Sequence, residues 1–139
     1  PFHKLDEILA NNRLSSQKLS AIIIDIHAEA TSEKVAMKYY ADGRVSAVLG
    51  THTHIMTADA EISKNGTAFI ADVGMVGSAT GCLGVEKEGI IKTFLTQIKY
   101  QHIIPETGRA IFNAVVVRID PQKAIAKSIE PIIKYVDIK

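Results

Sequence analysis

The sequence predicts one α/β domain with a parallel β-α-β unit in its first half and an antiparallel hairpin at its end. Two apolar runs, residues 21–26 and 45–49, are separated by a helical pattern. Two longer β-rich runs, residues 110–119 and 124–135, flank Asp120-Pro121-Gln122-Lys123. No repeat, low-complexity tract or linker divides the 139 residues, which are enough to bury one core.

Leu5, Ile8 and Leu9, with Leu14 beyond them, give a loose helical stripe that a polar break, Ser15-Ser16-Gln17-Lys18, ends. The first strand, 21–26, runs into His27-Ala28-Glu29-Ala30. Thr31 or Ser32 is placed to cap a helix over 33–40, and Asp42-Gly43 stops it. The strand at 45–49 follows. The link from His27 to Arg44 is long enough for a parallel, right-handed crossover, which puts both C-terminal strand ends on one sheet edge. Open α/β sheets bind ligands at such edges. Asn65-Gly66, between Ile62 and residues 67–70, is a hairpin signal. Residues 71–77 read as a strand end passing into a glycine-rich loop. A helix is expected over 86–98, with Ile90, Ile91, Phe94, Leu95 and Ile98 as a core-facing stripe. In the final hairpin, Pro131 is expected to bend or end the second strand.

Gly50-Thr51-His52-Thr53-His54 stands directly after the apolar run 45–49. In an extended backbone, residues i and i+2 share a side, so His52 and His54 are expected to project together, with Thr51 and Thr53 facing away. His27 also follows a strand. Neutral imidazole is the commonest protein metal ligand, so histidines gathered at strand ends suit a divalent transition metal. A lone His-x-His also occurs in ordinary loops; its placement and the matching His27 favour the metal reading. His3 and His102 lack that setting and are expected to be solvated or to cap.

The charge is balanced, 16 basic against 15 acidic residues for a net +1, and no basic stripe or run of like charge is present. Bulk attraction to nucleic acid or to a membrane surface is therefore not indicated. The single cysteine, Cys82, excludes an internal disulfide, fits a reducing compartment and reads as a small filler in Gly81-Cys82-Leu83-Gly84. No apolar run is long enough to span a bilayer and no signal segment is present, so a cytoplasmic location is expected. A start at Pro1-Phe2-His3, without an initiator methionine, suggests part of a longer chain.

Four segments in order resemble a known family: Asp25-Ile26-His27-Ala28-Glu29-Ala30-Thr31-Ser32-Glu33-Lys34, Asp42-Gly43-Arg44-Val45-Ser46-Ala47-Val48, Gly50-Thr51-His52-Thr53-His54 and Ala71-Asp72-Val73-Gly74-Met75. Together they resemble the YmdB-like branch of the calcineurin-like metallophosphoesterases. The resemblance implies an α/β/β/α sandwich, here its C-terminal part, and hydrolysis of 2′,3′-cyclic nucleotides by hydroxide that a two-metal centre activates. It implies His27 and His52 as ligands of one metal and His54 as a ligand of the other; imidazole with carboxylate ligation fits iron, manganese or zinc. The wider superfamily's final motif is Gly-His-x-His; here Thr51 separates Gly50 from His52, as in this branch. The family's remaining ligands, an Asp, a bridging Glu and Asn residues, and its proton-donating His lie on an N-terminal half with no counterpart in this chain. The expected partners are thus a small cyclic nucleotide, that N-terminal half and, through exposed apolar surface, further copies of the protein. Asp25, Glu29, Asp59 and Asp72 are candidates to orient the histidines or to cap helices and turns. The competing expectation is a non-catalytic nucleotide- and metal-binding regulatory module.

Overall fold

The computed structural model describes residues 1–12 and 19–139; Leu14 and the Ser15–Lys18 break fall outside them. The chain builds three helices and seven strands among these residues: α1 Phe2–Asn11, β1 Ile23–His27, α2 Thr31–Ala41, β2 Ala47–Thr51, β3 Glu61–Ile62, β4 Ala68–Ile70, β5 Val76–Ser78, α3 Lys87–Thr96, β6 Gly108–Ile119 and β7 Ala126–Ile138. The fold is mixed α/β. One sheet has the order β1-β2-β4-β3, the other β5-β6-β7.

The β-α-β unit forms as expected. β1 and β2 are parallel neighbours in a register that places His27 opposite Thr51. β4 adds in parallel to β2, and β3 returns antiparallel through the turn at Asn65-Gly66, where Gly66 takes φ +88°. On one face of this sheet lies the main core. Leu5 and Leu9 of α1 and Met37 and Ala41 of α2 pack there with Val45, Val48, Phe69 and Ala71. On the other face Ala47, Ala68 and Ala126 are buried with Leu49, Ile62, Val117 and Ile129 around them. Small residues at that contact let the two sheets approach. The observed layering is helices, sheet, sheet. No helix of the described residues is long and apolar enough to cross a membrane.

Three local expectations are corrected. The N-cap of α2 is Ala30, in extended conformation and without a side-chain cap, so neither Thr31 nor Ser32 performs that role; both lie inside the helix. β7 runs through Pro131, which is paired opposite Val115. It does so because β7 is the outer strand of its sheet, where a missing N–H leaves no ladder bond unmade. The third correction concerns α3. Its apolar stripe is not core: no residue of α3 is buried, and Ile91, Phe94, Leu95 and Ile98 are 52%, 76%, 78% and 61% exposed. Periodicity identifies an apolar face but not what covers it.

Candidate metal centre at the ends of two parallel strands

β1 ends at His27 and β2 at Thr51, so the parallel register carries His27, Thr51 and His52 to one sheet edge. Burial alternates along β1: Ile24 and Ile26 turn towards the core, while Ile23, Asp25 and His27 turn out. Asp25 and His27 therefore share a face, and a chain of polar contacts links them. The Thr51 hydroxyl donates to Asp25 Oδ1 at 3.2 Å and lies 3.1 Å from His27 Nδ1. His27 Nε2 is 3.1 Å from His52 Nδ1, and the two rings meet edge to face with centroids 4.9 Å apart. With Thr51 donating to Asp25, its oxygen accepts from His27 Nδ1–H. That assignment leaves the His27 Nε2 lone pair facing His52.

The path after β2 is not extended. His52 has φ +126° and His54 φ +66°, backbone that is uncommon for residues other than glycine. The alternation expected of His-x-His therefore fails. His52 Nδ1 lies against His27, whereas His54 Nδ1 is 3.3 Å from the carbonyl oxygen of Leu83. Thr51, expected to face away, is the link between His27 and Asp25. All three histidines are exposed, as are His3 and His102.

What holds this path lies underneath. Asp72, 1% exposed, accepts the Thr53 N–H at 2.7 Å through Oδ2 and the Gly74 N–H at 2.9 Å through Oδ1. Lys34, also 1% exposed, reaches up from α2 to Asp72 Oδ2 at 3.1 Å. Burial pushes the Asp72 carboxyl up, but the two amide donors and the Lys34 ammonium outweigh it and hold the group below its ordinary value. Gly50 makes the close approach possible. A Cβ there would stand 1.9 Å from the Ala71 carbonyl oxygen and 2.8 Å from Lys34 Cδ. Among the four acidic candidates, then, Asp25 reaches the histidine chain through Thr51 and Asp72 braces the loop. Asp59 serves the neighbouring turn, accepting the Thr57 hydroxyl at 2.5 Å and the Ala71 N–H at 3.2 Å. Glu29 is exposed. Lys34 was missed by sequence reading; a lysine in a helical first turn looks like any solvated one.

The donor set can be tested for fit to a metal. Two imidazole nitrogens bound to one cation at about 2.0–2.1 Å, at angles between octahedral and tetrahedral, lie about 2.9–3.4 Å apart. The His27–His52 separation of 3.1 Å falls inside that range. Among the described residues no group of three His, Cys, Asp or Glu side chains is gathered closely enough to hold an ion. The pair fits part of a coordination sphere and not the whole of one.

An α/β sheet edge of this kind, with a second sheet stacked behind it, is the architecture of a metallophosphoesterase-type sandwich. The comparisons agree and go further. The sequence model for the family described as YmdB-like protein matches residues 1–132, and the chain belongs to that family. Over 133 residues it is 47% identical to a 2′,3′-cyclic-nucleotide 2′-phosphodiesterase of Bacillus subtilis, covering 96% of this chain and 49% of that protein. A crystal structure of a novel phosphatase from Mycoplasma pneumoniae superposes with a TM-score of 0.86 at 32% identity, over 99% of this chain and 47% of the other. A hypothetical protein from Thermus thermophilus gives 0.84 at 37% identity, over 97% and 50%. The chain thus spans about half the length of these relatives.

Proposed function

We propose that this chain is part of a metal-dependent phosphodiesterase acting on small cyclic nucleotides of the 2′,3′ type. The observation that carries the reading is the meeting of His27 and His52 at the shared end of two parallel strands, 3.1 Å apart nitrogen to nitrogen. The likeness to a relative named as a 2′,3′-cyclic-nucleotide 2′-phosphodiesterase supports the substrate class. In this reading His27 and His52 hold one divalent ion, iron, manganese or zinc, and His54 is a ligand of the second. When bound, such a pair of ions supplies positive charge to the phosphoryl oxygens and acidifies water near neutral pH. The chain's own residues hold the imidazoles. Thr51 and Asp25 keep a proton on His27 Nδ1, so that Nε2 presents its lone pair, and the Leu83 carbonyl does the same for His54.

Because three histidines do not complete two coordination spheres, the remaining ligands and the proton donor to the leaving oxygen belong outside these 139 residues. A general acid contributes about 10²–10⁴-fold, so the chain alone is expected to be a poor catalyst even where it binds metal. The non-catalytic alternative predicts the same of the fragment, and the full-length protein separates the two. The test is metal analysis of the full-length protein with an assay on 2′,3′-cyclic AMP. His27→Ala, His52→Ala and His54→Ala are each expected to lower metal content and turnover, while His3→Ala and His102→Ala leave both near wild type. Equal metal content across all five variants would sink the reading.

A further inference from the structure

We propose that Lys34 and Asp72 are positioning residues for the histidine edge: their buried ion pair holds the 51–54 loop on the strained path that sets His52 against His27. The consequence for metal binding rests on the reading above; the structural part stands on the pair itself. Both side chains are 1% exposed, and the Asp72 carboxylate also accepts hydrogen bonds from Thr53 N–H and Gly74 N–H. Those amides belong to the loop that carries the histidines and to the glycine turn beside it, not to a helix or a strand.

A buried ion pair is a poor device for stability alone, since a well-packed apolar pair of similar volume is often as stable or more so. What this pair supplies and an apolar pair cannot is an acceptor for loop amides at a defined point. The loop requires one. His52 at φ +126° and His54 at φ +66° sit in backbone regions that persist only when the surroundings over-determine them. Asp72 is itself fixed, because its N–H donates to Thr57 Oγ1 at 2.9 Å and the Thr57 N–H donates to the Asp72 carbonyl at 3.0 Å. Lys34 makes an ionised carboxylate tenable at that depth. The ammonium is carried by α2, the helix that follows His27. The pair therefore ties the helix leaving the first histidine to the loop bearing the other two.

The experiment uses the metal-stripped full-length protein and two readouts, hydrogen exchange over residues 51–56 and Co²⁺ binding followed by its visible absorption. The variant Lys34→Met/Asp72→Leu replaces the pair with apolar groups of similar size and removes the acceptor. Exchange over 51–56 is expected to rise about tenfold or more while residues 68–70 of β4 keep their protection. Co²⁺ affinity is expected to fall about 10–100-fold, and Lys34→Arg, which keeps the cation, to lie closer to wild type in both. Unchanged exchange over 51–56 in the double variant overturns the proposal. If that variant does not fold, Asp72→Asn decides on the same readout, and exchange as slow as wild type again overturns it. A wild-type Co²⁺ spectrum that His27→Ala and His52→Ala leave unaltered overturns the metal reading instead, and exchange alone then judges the positioning role.

Discussion

The histidine edge of the parallel sheet and the α3 helix are built on opposite terms. At the edge, exposed imidazoles stand on a foundation that is almost wholly buried. Asp72, Lys34, Phe69 and Ile70 are each 1% exposed or less, and a glycine at position 50 lets backbone meet backbone. At α3 the relation is reversed. Three large apolar side chains, Ile91, Phe94 and Leu95, face outward, and Ile98, Ile103 and Ile104 beyond the helix are 61%, 51% and 72% exposed as well. Position at the edge is set by this chain. At α3 the apolar side chains have no cover among the described residues. Between the two regions, the Leu83 carbonyl in the loop before α3 faces His54.

The largest expected effect separates the two regions by a single residue type. Phe69, 1% exposed beneath the edge, and Phe94, 76% exposed on α3, are both phenylalanines in regular structure. Phe69→Ala is expected to cost about 3–5 kcal/mol in urea unfolding, through lost transfer energy and the cavity left behind. A cost under about 1 kcal/mol would show that the core under the edge is loosely packed and that the contrast is overdrawn.

Gly50→Ala comes next. The added methyl meets the Ala71 carbonyl at 1.9 Å, and backbone does not swing aside as a side chain does. Overpacking of this sort costs about 1–3 kcal/mol. The strain falls on the segment that bears Asp72, so the 51–54 loop is expected to lose protection with it. Hydrogen exchange that remained slow over residues 51–54 would show that the loop does not depend on this close approach.

Acid should strip the edge of its brace in a sign that can be worked out beforehand. The Asp72 carboxyl titrates below its ordinary value in the folded chain, against about 3.9 unfolded. A depressed folded pKa contributes stability that is present above about pH 4 and is lost as pH falls through the folded value. Wild type is therefore expected to lose urea stability more steeply than Asp72→Asn as pH falls below about 4. Asp6, lowered by Tyr40 and Arg44, and Asp120, lowered by Lys127 and the amides of Gln122 and Lys123, add the same slope to both proteins and cancel in the difference. Parallel curves would remove Asp72 from the account.

How much of this was legible in the sequence follows the same division. The β-α-β unit was readable because apolar runs and helical spacing are local, and three histidines standing just past strand ends marked the edge. The path of the loop was not, since it depends on Asp72, 19 positions from Thr53, and on Lys34, 38 positions from Asp72. No spacing rule joins residues so far apart. An extended reading of Thr51-His52-Thr53-His54 was the default that those distant partners override. Pro131 was misjudged for a related reason: whether a strand tolerates proline depends on its place in the sheet, which topology decides. The α3 stripe shows the limit from the other side, because its amphipathic period is real but does not decide whether the fold buries it.

The smallest effect on stability is expected at α3, and it sharpens the comparison most. Phe94→Ser and Leu95→Lys remove exposed apolar surface without opening a cavity, so each should change the unfolding free energy by no more than about 0.5 kcal/mol. Their effect should appear in association instead. Large apolar side chains are exposed on α3 and over residues 98–104, and an exposed apolar face of this kind is expected to associate. Sedimentation of the chain alone is expected to show concentration-dependent self-association that Leu95→Lys weakens. In the full-length protein, an effect of Phe94→Ser on stability well above the same ~0.5 kcal/mol would mean that the rest of the chain covers α3. No effect there, with loss of the oligomer, would assign the face to a second copy. A chain that stays monomeric at every concentration, with or without the substitutions, would show that α3 tolerates water and that the contrast with the histidine edge is one of degree.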